Sequence, residues 1–141
     1  MTTAMKAAWG MLLLAAASAG AQAQGAAQTQ PGRFMIFFDW GKPAISRDGL
    51  VVIEESAAAW RARPGEPVTI EGHSDRSGPA GANRRSARMR AAAVRDELVR
   101  RGVPAALIKV RSLGEERPLI VTEDGVREAQ NRRVDINIGA R

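Results

Sequence analysis

The chain has 141 residues, room for one domain of ordinary size. It carries 21 basic against 15 acidic residues, a formal charge of +6, and 18 of the basic residues are arginine, the side chain best suited to planar pairing with carboxylates or phosphates. There is no cysteine, which excludes disulfides and a lipidated cysteine, and His73 is the single histidine. With so few imidazole and thiolate ligands, neither a metal nor a cofactor is expected.

The opening stretch, MTTAMKAAWGMLLLAAASAGAQAQG, places Lys6 as the only charge before an Ala- and Leu-rich run, and small residues then offer AQA at 21–23. The run is shorter than the roughly 20 apolar residues that span a bilayer. Residues 1–23 are therefore read as a cleaved secretory signal rather than an anchor, with no transmembrane span in the mature chain. Export argues against nucleic acid as the partner of the basic surface and leaves anionic envelope polymers or a membrane surface. Residues 24–33 are small and polar, a short linker without core-forming periodicity.

RFMIFFDW puts Phe34, Ile36 and Phe38 on one side of a strand and Met35 and Phe37 on the other, as in a central strand buried on both faces. SRDGLVVIEESAAAWRAR predicts a helix capped by Ser46, with Leu50, Ile53, Ala57 and Trp60 along its apolar stripe. RPGEP breaks the chain, and VTIEG forms a second strand with Val68 and Ile70 inward. A long helix follows from about Asn83 to Arg101, stopped by Gly102 with Pro104 beyond. IKVRSL is a third strand, TEDGVREAQN a short helical piece, and RRVDINI a closing strand with Val134, Ile136 and Ile138 alternating. This order predicts a two-layer α/β sandwich of the α+β kind. Right-handed crossovers set both long helices on one face of a single mixed sheet.

At about 100° per residue, Arg84, Arg88 and Arg95 of the long helix share a sector flanked by Arg85 and Asp96, a solvated charged face. The opposite arc carries Ala87, Ala91, Ala93, Val94 and Leu98, with Arg90 in its middle. An arginine there lies against the body of the domain, where a charge is costly unless paired. Fifteen residues upstream, Asp75 stands where the second strand runs into the loop SDRSG, and Gly78, Pro79 and Gly81 turn that loop into the helix. Asp75 and Arg90 can be brought together in two ways. One is an internal salt bridge that fixes the loop. The other is a pocket offering one negative and one positive group, complementary to an ammonium beside a carboxylate.

An enzyme is excluded by inventory. His73 is next to Ser74 with no third residue to complete a triad. Glu71 and Asp75, four residues apart on a strand and its exit, face different surroundings and do not make a carboxylate pair for glycan cleavage. His73 is expected to be a structural hydrogen-bonding residue and Trp60 a core residue, while Trp40, beside Asp39, belongs at a pocket rim.

The segments VTIEGHSDRSGPAGANRRSARMRAAAVRDEL, GVPAALIKVRSLGEERP and NRRVDINI resemble the OmpA-like peptidoglycan-binding domain, over nearly all of residues 34–141. Gly72, His73, Asp75, Gly78, Arg90, Ala91 and Val94 match the family's first motif, with Ser74 in place of threonine. Gly114, Glu115 and Pro118 match the second, and Asn131 to Val134 the third. The resemblance implies non-covalent binding of peptidoglycan in the periplasm through diaminopimelate, gripped by Asp75 and Arg90. Further contacts are implied at Phe38, Asp39, Ser74, Asn83, and Asn131 or Arg132. Two positions depart from the pattern. Gly41 stands where Asn or Asp is frequent, and Ala82 where an aromatic residue often precedes the helix asparagine.

A second reading stays open: an adaptor that docks an envelope protein, steered by the outward arginines, with little or no wall binding. The signal assignment is tested by intact-mass measurement of protein recovered from a periplasmic fraction. The expected N-terminus is Gln24 or Gly25; a full-length mass in the membrane pellet would identify an anchor instead.

Overall fold

In the computed structural model, residues 32–139 are described; the expected signal, and the linker up to residue 31, lie outside them. Four strands and two helices follow one another as β1 (Arg33–Phe37), α1 (Arg47–Arg61), β2 (Val68–His73), α2 (Ala80–Arg100), β3 (Ile108–Gly114) and β4 (Arg133–Ile138). The sheet order is β1-β4-β2-β3, with β2 and β3 parallel and β4 antiparallel to both β1 and β2. This is the expected two-layer α/β sandwich on a mixed sheet. No helix among the described residues is long and apolar enough to cross a membrane.

Alternation decides which face of the sheet is covered. Ile36, Val68, Ile70, Val134, Ile136 and Ile138 form one core cluster with Ile53, Ala57 and Trp60 of α1 and Ala91, Val94 and Leu98 of α2. Both helices therefore pack on the same face, where a period-2 strand surface meets 3.6-period stripes. The helices are also well terminated. Ser46 accepts the Gly49 backbone N–H at 3.1 Å, and Gly102, at φ +96°, turns the chain after α2.

Three expectations are corrected. β1 is an edge strand, because the last strand of the chain inserts between it and β2; Phe37 is consequently 47 % exposed. In α1 the buried stripe is rotated toward Gly49, Ile53, Ser56, Ala57 and Trp60, and Leu50 faces outward. A Cβ at Gly49 would stand 2.9 Å from Ile45 and 3.0 Å from Ile36, so the helix start lies too close to β1 for a larger residue. Ser56 is admitted to the core because its hydroxyl donates to the Val52 and Ile53 carbonyls. Third, TEDGVREAQN forms no helix beyond a 3₁₀ turn at Ala129–Asn131. Gly125 takes φ +83°, and its N–H donates instead to the Arg76 carbonyl at 2.8 Å.

The closest approach between the layers sets the height of α2. A Cβ on Gly72 would lie 2.2 Å from the Ala87 carbonyl oxygen, so the helix backbone rests directly on β2. Gly72→Ala must push the layers apart. The expected cost is about 2–3 kcal/mol, seen as a fall in thermal midpoint on the order of 10 °C or more. An unchanged melting curve would show that the layers are not in this contact.

Candidate ligand-binding site

The site forms where β2 delivers the chain into α2 and where the β1–α1 segment and the 115–132 segment come alongside. Asp75 is only 3 % exposed, and its carboxylate is fully engaged. One oxygen, Oδ1, accepts the Ser77 backbone N–H at 3.1 Å and the Ser77 hydroxyl at 2.6 Å. The other, Oδ2, accepts Arg132 Nη1 at 2.8 Å and the Glu128 N–H at 3.3 Å. Burial pushes the Asp75 pKa up, but the hydrogen bonds from Ser77 and Arg132 outweigh it and hold the carboxyl below its ordinary value.

Arg90 is 2 % exposed, in the middle of the apolar arc of α2 as its spacing predicted. Of the two arrangements open from sequence, the internal ion pair with Asp75 is not formed; Asp75 pairs with Arg132. Arg90 instead donates from Nε to the Lys42 carbonyl at 3.3 Å and from Nη2 to the Asp39 carbonyl at 3.2 Å. Its guanidinium carbon lies 5.4 Å from the centre of the Phe38 ring. Burial lowers its pKa, the neighbouring Arg132 lowers it further, and Asp75 opposes both. The guanidinium nonetheless stays charged at any physiological pH.

Asp75, Arg90 and Arg132 line one small pocket of about 170 Å³ with Trp40, Ser74 and Asn83. Ser74 Oγ is buried there without a hydrogen-bond partner among the described residues. Asn83 donates to the Gly78 carbonyl at 3.3 Å and to Glu115 at 3.0 Å. One carboxylate and two guanidiniums give the pocket a net positive charge, suited to a carboxylate that arrives beside an ammonium. A larger, mostly apolar cavity of about 640 Å³ lies alongside, lined by Phe37, Phe38, Asp39, Ile45 and Arg132 among others. Asp39, Lys42 and Arg132 also bring charge to that cavity, but the smaller pocket is the one where two oppositely charged side chains, Asp75 and Arg90, are buried, and on that ground it is the candidate site.

Not every expected residue reaches the small pocket. Phe38 is core, beneath Arg90, and Asp39 meets the pocket only through the carbonyl that Arg90 holds. Asn131 is wholly buried and spends its amide on the backbone. Its Oδ1 accepts from Leu119 and Ile120 at 2.8 and 2.9 Å, and its Nδ2 donates to the Ile120 carbonyl at 2.7 Å. Of the Asn131/Arg132 alternative, Arg132 is the one that lines the pocket, and it also donates to the Phe38 carbonyl at 3.1 Å. Ser77 was not singled out from sequence, although a serine two residues after a loop aspartate is a recurrent hydrogen-bonding pattern.

The sequence model of the OmpA family matches residues 37–132. The chain belongs to the OmpA family. Among curated relatives, it is 39 % identical over 105 residues to a peptidoglycan-associated lipoprotein of Rhizobium meliloti, covering 74 % of this chain and 59 % of that protein. It is 34 % identical over 116 residues to an outer membrane protein of Gluconacetobacter diazotrophicus, covering 78 % of this chain and 31 % of that one. The chain thus spans about a third to three-fifths of the length of these relatives. Among solved structures, the peptidoglycan-associated lipoprotein from Burkholderia pseudomallei aligns with TM-score 0.68 at 28 % identity, over 74 % of this chain and 89 % of that one. The C-terminal domain of Helicobacter pylori MotB shares the fold, with TM-score 0.66 at 21 % identity over 75 % of this chain and 83 % of that one.

In this OmpA-family chain, His73 faces away from the pocket, on the sheet surface opposite the helices. Its Nε2 lies 3.4 Å from Asp135, and Glu71 sits directly across the strand pair from Asp135. The three can converge on a single ion in geometry. However, Arg133 already occupies Asp135 at 3.0 Å and Arg111 approaches Glu71 at 3.4 Å, so a dication would meet two guanidiniums. Burial raises the Asp135 pKa, but the neighbouring His73 and the charge of Arg133 together hold it below the ordinary value.

Asp75 and Asp135 therefore make stability depend on acid. Carboxyls depressed in the folded state contribute fully above their unfolded values, about 3.9, and lose that contribution as pH falls through the folded values. Thermal melts should be flat above about pH 5 and fall below about pH 4. Asp75→Asn should reduce the steepness of that fall. An equally steep acid limb in the variant would show that Asp75 is not linked to folding.

Proposed function

We propose that the chain binds peptidoglycan non-covalently in the periplasm, by holding the zwitterionic end of diaminopimelate in the peptide stem. The observation that carries this reading is a small pocket in which the buried Asp75 and Arg90 converge with the partly exposed Arg132. The names of the Rhizobium and Burkholderia relatives support the same ligand class.

Arg90 spends Nε and one Nη2 hydrogen on the Asp39 and Lys42 carbonyls. This leaves Nη1 and the second Nη2 hydrogen to meet a carboxylate by two parallel bonds. Arg132 adds positive field on the other side while keeping Asp75 ionised. The ligand's ammonium is received at Asp75, where it shares or displaces the Ser77 hydroxyl, since four donors already occupy the carboxylate. No bond is made or broken in the ligand.

Co-sedimentation with purified sacculi tests the assignment. Arg90→Lys keeps the charge but cannot hold two backbone carbonyls and a carboxylate with a planar fork. The bound fraction should fall about tenfold or more, a loss of at least about 1.4 kcal/mol, at a temperature where the melting curve shows the variant still folded. Asp75→Asn should do likewise. Walls containing lysine in place of diaminopimelate lack the second carboxylate and should bind poorly. Equal binding to both wall types, or unchanged binding by both variants, overturns the proposal.

A further inference from the structure

The pocket has an aromatic wall on the side away from α2, where Trp40 is expected at its rim. On the α2 side, where a wall is expected before Asn83, this chain has Ala82. Across the pocket, Trp40 of the β1–α1 segment joins the lining while remaining 51 % exposed. Ordering an exposed indole that large costs side-chain entropy, and this one is held at two places. Its Nε1 donates to the Ser77 hydroxyl at 3.2 Å. The Arg127 guanidinium carbon sits 3.7 Å from the ring centre and takes no part in the pocket lining, so it backs the ring from outside. Gly41, at φ +69°, lets the chain turn immediately after the indole.

The hydrogen bond to Ser77 has a further effect. The same hydroxyl that accepts from Trp40 donates to Asp75 Oδ1 at 2.6 Å. Trp40, Ser77 and Asp75 thus form one directed chain from the rim to the buried carboxylate. A cation arriving at Asp75 competes with the Ser77 hydroxyl and changes what the indole N–H meets.

We infer that Trp40 is a specificity-determining residue, which packs its pocket-facing ring surface on the methylene chain behind a zwitterionic amino-acid end and senses the occupancy of Asp75 through Ser77. The inference rests on the wall-binding reading above and names what that pocket reads beyond charge. Asp75, Arg90 and Arg132 recognise an ammonium and a carboxylate, which every free amino acid carries. At a single amino-acid end, contact with the hydrocarbon behind it separates diaminopimelate from a short zwitterion such as D-alanine, because each buried methylene contributes about 0.8 kcal/mol.

The test titrates the full chain, Trp40→Ala and Trp40→Phe with meso-diaminopimelate and with D-alanine, alongside sedimentation with sacculi. Unmutated protein should prefer diaminopimelate by tenfold or more. Trp40→Ala should lose most of that preference while its melting curve stays close to the original, and Trp40→Phe should retain a large part of it. The difference in emission between the unmutated chain and Trp40→Phe, which cancels Trp9 and Trp60, should shift on addition of diaminopimelate and not in Asp75→Asn. If Trp40→Ala keeps both wall binding and the preference, and the difference emission is unmoved, the inference is overturned while the wall-binding reading stands. If the unmutated chain binds neither sacculi nor diaminopimelate, both fall together.

Discussion

A buried guanidinium organises this domain. Arg90 stands on the apolar side of α2 at 2 % exposure, and taking a cation out of water costs several kcal/mol unless its donors are met. The carbonyls of Asp39 and Lys42, the face of Phe38 and the nearby Asp75 together meet that requirement. In doing so they tie three parts of the chain that are distant in sequence: the exit of β1, the exit of β2 and the middle of α2. Each tie leaves polar groups beside a small opening rather than closing it. The pocket is what remains after Arg90 has been satisfied on its inner side.

The second arginine completes the arrangement from the far end of the chain. Arg132 enters just before β4, bridges Asp75 and the Phe38 carbonyl, and so joins β2 to β1 across the strand that separates them. The 115–128 segment has no regular structure apart from its turns, and Asn131 compensates by binding three of its backbone groups. That clamp holds the segment from which Glu128 and Arg127 reach Asp75 and Trp40. Asn131 therefore serves the site without entering it.

Much of this was legible from residue patterns, and the parts that were not share a cause. The alternation in β2 and β4 was readable because one face of each is wholly apolar, and Arg90 because a single charge interrupted a helical apolar arc. β1 misled because Phe37, directed to the open face, belongs to the wall of a surface cavity, and an apolar side chain there looks like core in sequence. Leu50 misled because Gly49 and Ser56 took the buried positions of α1, one through a tight backbone approach and the other through local hydrogen bonds. The ion-pair partner of Asp75 was not readable because Arg132 is 57 residues away and is brought in only by the return of β4 between β1 and β2, whereas the nearer Arg90 left both a salt bridge and a shared pocket open. Local periodicity reports faces; it does not report which distant strand will be a neighbour.

The contact between Gly72 and the Ala87 carbonyl carries a thermodynamic consequence for recognition. With the helix backbone seated on the strand, α2 has no room to approach further, and Arg90 is one turn from that contact. The helical side of the pocket therefore cannot narrow by movement of α2 toward β2. The ordering of the charged groups is completed when the chain folds, so little conformational entropy remains to be lost on association. Encounter should then be governed by electrostatic attraction and desolvation, with the helical layer behaving as a rigid jaw.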